Sequence, residues 1–193
     1  MPLASYLSSG QRDEMDAEIL VERIRANYIA QFRSFADSLR ATDVPGAAEV
    51  MLQLSDECTL FERMYCVDFI SNPGKTEIKE MMPDSFLSFE PFKISFGNAI
   101  LTFDALQWDD VTISHDAEVL PQTGLAAWFE RWFDVAEKWR LPDPALAGAI
   151  HSLGVRPGGM DIDFGTADTE ALWAMLTVIE KAGATKIRIS GSR

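Results

Sequence analysis

Two aspartates stand two apart in the segment 160–164, where Asp161 and Asp163 alternate with Met160, Ile162 and Phe164. In a strand, a period of two turns both carboxylates to one face. Such a pair can hold a hard cation such as magnesium or calcium, or act as coupled acid and base, so Asp161 and Asp163 are the candidate metal ligands. Asp168 and Glu170 add two more carboxylates within ten residues. The plainer role is a solvated strand face followed by a helix cap at Asp168, because no EF-hand spacing or nearby histidine motif accompanies the acids.

His115 is the second candidate. It follows the apolar positions Val111 and Ile113, with Asp109, Asp110 and Asp116 beside it. A carboxylate that orients an imidazole makes a general base. A base needs a nucleophile, and the chain carries neither GxSxG nor HExxH, so a surface loop histidine is the simpler role. The Arg156-Pro157-Gly158-Gly159 stretch offers amides and a guanidinium to an anion, but it matches neither GxGxxG nor GxxxxGK[ST] and leads into a strand. No cofactor is implied.

Two stretches have the composition of contact surfaces. Trp128, Phe129, Trp132, Phe133 and Trp139 crowd into twelve residues. Much of this stripe must be core, and its edge, at Trp128 and Trp132, is a candidate partner-binding anchor because tryptophan dominates interface hot spots. Farther upstream, Glu77, Glu80, Asp84 and Glu90 flank Met81, Met82, Phe86 and Phe89. Such a segment packs as an ordinary loop or, being Met-rich, repacks around a partner.

Charge narrows the partners. Thirty acidic residues against seventeen basic ones give a formal charge of −13, spread along the chain. A field of that sign repels nucleic-acid phosphates and anionic lipid and favours encounter with basic proteins. No run of eighteen apolar residues occurs, and the first ten residues lack a basic stretch followed by an apolar one, so the expectation is a cytoplasmic protein with no membrane or nucleic-acid partner. Cys58 and Cys66 on one continuous helix would lie about 12 Å apart along its axis, too far for a disulfide.

The elements that must position these residues follow from periodicity. At 193 residues with 47% hydrophobic content, the chain can bury roughly 70% of its extended surface as a single domain with a loose segment at 1–10. Met15, Ile19, Leu20, Ile24, Tyr28, Phe32, Phe35 and Leu39 predict a helix over about 11–41. Val50, Leu54, Cys58, Phe61 and Tyr65 at i+4 spacing predict a second helix after Pro45, closing a helical hairpin, although 64–70 also reads as extended. A period of two from Phe86 to His115, with Gly97-Asn98 between the first two runs, predicts an antiparallel meander with one wet face bearing Thr102, Asp104 and Thr112. Helices are expected at about 124–140, 144–153 and 169–182, strands at 160–164 and 185–190.

The fold class expected is α+β, an N-terminal helical hairpin and further helices on a mainly antiparallel sheet, closing with a β-α-β segment. The function expected is that of a non-enzymatic acidic interaction protein, such as an immunity protein or stoichiometric inhibitor of a basic protein. Asp104, Asp109, Asp110 and Asp116 would face that partner. A small-molecule or regulatory module with an apolar pocket beside the Trp-rich helix is one alternative. A small metal-dependent hydrolase using Asp161 and Asp163 is the other.

Overall fold

The computed structural model describes residues 9–42, 45–55, 57, 60–71, 76–138 and 146–191. Its elements are α1 (Ser9–Arg40), β1 (Gly46–Gln53), the single turn α2 (Leu60–Arg63), β2 (Met64–Ser71), β3 (Glu77–Lys79), β4 (Phe92–Phe96), β5 (Ala99–Phe103), β6 (Val111–His115), α3 (Gln122–Phe133), β7 (Ser152–Arg156), β8 (Gly159–Asp163), α4 (Glu170–Lys181) and β9 (Lys186–Gly191). The class is α+β with an N-terminal helix, a three-stranded sheet ordered β1-β2-β3 and a six-stranded sheet ordered β4-β5-β9-β6-β8-β7.

α1 forms where the periodicity places it, burying Ala17, Val21, Ile24, Tyr28, Phe32 and Ala36 along one stripe. The expected second arm of a helical hairpin is instead two strands, paired antiparallel from Gly46 opposite Ser71 to Gln53 opposite Met64. The reason lies in β2, where Cys66, Val67, Asp68 and Phe69 are all buried. A strand covered on both faces shows no alternation, and its β-branched and aromatic residues favour the pleated form over the helix that the i+4 spacing suggests. Cys66 therefore lies on a strand, while Cys58 falls outside the described residues.

The β4–β5 hairpin turns at Gly97-Asn98 as expected, with Phe96 opposite Ala99. The meander then breaks, because β9 inserts between β5 and β6, parallel to β5 and antiparallel to β6. Its alternation of buried Ile187 and Ile189 with exposed Lys186 and Arg188 suits a half-buried strand, but pairing with a segment some eighty residues away is not a local signal. β8 and β9 both run antiparallel to β6, so the closing β-α-β segment carries two parallel strands with β6 between them.

Two expected helices are shorter or absent. α3 stops at Phe133 because Asp134 takes a left-handed conformation (φ 56°), and Trp139 lies outside the described residues. Residues 146–151 form no helix, since their amides are used across the fold, Ile150 donating to the Trp132 carbonyl and His151 to that of Asp163, each at 2.9 Å. One apolar cluster joins Phe103, Ile113, Met160, Ile162 and Ile189 of the six-stranded sheet to Trp128 and Phe129 of α3 and to Leu172, Met175 and Leu176 of α4. α1 is tied to the loop after β8, where the Arg25 guanidinium donates to the carbonyls of Ala167 (2.5 Å) and Thr166 (3.1 Å).

Candidate functional site

The densest polar chemistry gathers around a residue that the sequence does not single out. His151 is 1% exposed and stands where the two sheets meet, immediately before β7. Its carbonyl accepts the Cys66 amide of β2 at 2.9 Å. Its Nε2 lies 3.0 Å from Glu49 Oε1 and its Nδ1 lies 3.0 Å from Asp68 Oδ1, the latter an ion-pair contact poorly aligned for a hydrogen bond. Asp163 Oδ2 is 3.8 Å from the same Nδ1. A carboxylate only accepts, so an imidazole facing carboxylates at both nitrogens is held as the doubly protonated cation. Burial works against that charge, but the neighbouring Cys66, Asp163, Asp68 and Glu49 outweigh it and set the His151 pKa well above the ordinary histidine value.

The sheet register explains why a cation belongs there. Ala48 pairs with Phe69 and Val50 with Val67, which leaves Glu49 and Asp68 facing each other at a break in the ladder. Like charges directly opposite on paired strands repel, and both side chains are buried. Glu49 also adopts φ 48°, a left-handed conformation that costs a non-glycine residue about 1 kcal/mol or more. The surroundings compensate. Glu49 accepts the Thr166 hydroxyl at 2.5 Å and the Ala147 amide, while Asp68 Oδ2 accepts the Met81 amide at 2.6 Å. The Thr166 hydroxyl in turn accepts the Gly148 amide at 2.9 Å. Gly165, at φ 47°, passes so close to the imidazole that a Cβ there would collide with the ring. Phe32 of α1 closes the site edge-on, with ring centroids 5.9 Å apart.

Beside this centre, a cleft of about 430 Å³ opens between the ribbon β1–β2 and the ends of β6, β7 and β8. Its walls carry Asp109, Asp110, Asp161 and Asp163, with Tyr65 and Met64 among its apolar lining. The structure thus brings together two aspartates expected at a partner surface and two expected as metal ligands. They are not equivalent. Asp161 accepts the Thr112 hydroxyl at 2.7 Å and pairs with Arg156, contacts that outweigh desolvation and lower its pKa. Asp163 accepts the Gly165 amide at 2.8 Å, yet burial pushes its carboxyl up to about 7 against the pull of His151. Of the two, Asp163 is the one whose carboxyl changes charge near neutral pH. Tyr65 donates to Glu80 at 3.2 Å, and burial with the Glu80 charge raises its pKa.

The remaining candidate residues disperse. Asp104 pairs with Arg188 on the open face of the six-stranded sheet. Asp116 lies just past β6, at the opposite end of that strand from Asp110, and accepts the Thr185 and Lys186 amides at 2.8 and 3.0 Å. These bonds hold its carboxyl down to about 2. The four expected partner-facing aspartates thus do not share one surface. Trp128 and Trp132 are 4% and 6% exposed, and the Trp128 indole donates to the Ala171 carbonyl at 2.9 Å, so both are core residues and offer no surface anchor. The cavity beside α3, about 580 Å³, is lined by Ala127, Glu130, Arg131, Asp134 and Lys138 among others, and by neither tryptophan.

His115 ends β6 far from Asp163, which lies beyond the other end of that strand, so the two cannot act together. The histidine that does adjoin Asp163 is His151, hidden to sequence reasoning because its segment reads as helix and its ligands come from positions 49, 68 and 163. Ser152 lines the cleft, but both nitrogens of the adjacent imidazole face carboxylates, so none can serve it as a base. Among the described residues no group of three His, Cys, Asp or Glu side chains is arranged to hold a metal ion, and no helix is long and apolar enough to cross a membrane. No family model, no curated protein and no solved structure matches this chain.

Proposed function

We propose that the protein is a non-enzymatic acidic interaction protein that receives a basic group of a protein partner in the cleft between its two sheets. The observation that carries this reading is the convergence of Asp109, Asp110, Asp161 and Asp163 around a cleft with an aromatic and apolar wall. An arginine or lysine side chain fits such a site, laying its methylene stem on Met64 and Tyr65 and its cationic head among the carboxylates. The net charge of −13 would steer a basic partner toward it and make association fall with salt. An immunity protein or stoichiometric inhibitor acts this way, through surface and charge without a nucleophile.

The test is a two-dimensional NMR titration with a short arginine-rich peptide at low salt. Shifts centred on Tyr65, Asp109, Asp110 and Gly154, reversed by added salt, support the cleft as the receiving site. Shifts spread evenly over all exposed acids would show a nonspecific field, and the proposal would fall.

A further inference from the structure

A polar surface remote from the cleft has the opposite sign. The open face of the six-stranded sheet carries Lys93 on β4 and Lys186 and Arg188 on β9, three exposed cations in a strongly acidic chain. The register sets their spacing. Lys93 pairs with Thr102 and Thr102 with Arg188, so Lys93 and Arg188 flank Thr102, about 10 Å apart at the backbone. Lys186 lies two residues along β9 on the same face, about 7 Å from Arg188. Long flexible side chains rooted at these distances can converge on one ligand. They line a shallow cavity of about 530 Å³ with Thr102, Ser114 and His115, a size that suits a metabolite.

The charges here are unevenly matched. Among the described residues neither Lys93 nor Lys186 has a carboxylate within ion-pair range, and Arg188 has Asp104 alone. The acid in the cavity wall, Asp116, is occupied by two backbone amides and the Thr185 hydroxyl. His115 stands at the edge of the cavity, but it pairs with the buried Ile187 and so shares the covered face, and both its ring nitrogens are shielded from solvent, so its imidazole takes no part in this surface.

We infer that this face is a binding site for a small polyanion, by class a phosphorylated metabolite, gripped by Lys93, Lys186 and Arg188, with the Thr102 and Ser114 hydroxyls completing the contacts. The site is independent of the acidic cleft, and ammonium, guanidinium and hydroxyl donors grouped around one cavity are the chemistry that recognises phosphate oxygens.

The test is an NMR titration of the protein with inorganic pyrophosphate, compared with sodium chloride at matched ionic strength. The amides of Thr102, Ser114 and Arg188 report the site, while the imidazole of the buried His151 serves as an internal reference. Pyrophosphate is expected to move those three amides and to leave His151 in place. Lys93→Ala with Lys186→Ala, both at exposed positions that should leave folding intact, should weaken the effect about tenfold or more. Absence of a response at millimolar pyrophosphate, an equal response to chloride, or an unchanged response in the double variant would each overturn the site. Tighter binding of a single-stranded oligonucleotide than of pyrophosphate would overturn the small-ligand class.

Discussion

Replacing His151 with glutamine removes the one cation from between Glu49 and Asp68 while preserving much of the side-chain volume. Both carboxylates are buried, at 3% and 5% exposure, and stand opposite each other on paired strands. Without the imidazolium they repel each other in a dry environment. Removing one partner of a buried ion pair costs about 3–5 kcal/mol. For a chain of this size that is a fall in Tm of about 6–20 °C. Thermal unfolding followed by circular dichroism at pH 7 measures it directly, and urea unfolding gives the same difference as a free energy. Asp68→Asn in the His151→Gln background, which removes one of the two facing carboxylates, should restore part of the loss. A loss below about 1 kcal/mol, or a second substitution that adds its full cost to the first, would refute the account of His151 as a buried cation.

The centre makes two further demands. Asp163 has its folded pKa raised from 3.8 to about 7, so the stability it contributes is fully present below about pH 4 and lost as pH rises through 7. Asp163→Asn, which keeps an oxygen acceptor for the Gly165 amide, should flatten that part of the stability profile, and an unchanged profile would assign the slope to other groups. Gly165→Ala should cost about 2 kcal/mol or more in urea unfolding, since the new methyl meets the His151 ring and the backbone is left-handed. A neutral result would mean that the imidazole can move aside.

The sequence discloses what rests on local patterns. α1, the Gly97-Asn98 hairpin, α4 and the alternation at 160–164 are each written in a short window, and the structure has all four. What escapes is long-range. β2 reads ambiguously, as the end of an i+4 helix or as an extended stretch over 64–70, because burial on both faces erases its alternation, and β9 gives no hint that it divides β5 from β6. The candidate site divides the same way. Asp161 and Asp163 stand out by spacing alone, whereas the His151 centre is assembled from positions 49, 68, 151 and 163, each ordinary in its own neighbourhood. One signal was available for His151, namely that it is one of only two histidines in the chain and stands in an apolar context at Ala149-Ile150. The tryptophans show the converse, since their unusual density expresses a crowded core and not a surface.

The central claim is that the acidic cleft receives a basic partner. The most direct measurement is capture from a lysate of the source organism by the tagged protein and by its Asp109→Asn, Asp110→Asn variant, in parallel at low and moderate salt, with mass-spectrometric quantification. The account predicts one basic protein in stoichiometric amount on the unaltered chain, diminished by salt and by loss of the two aspartates. Equal recovery by both proteins, or recovery of no basic protein at low salt, would contradict it.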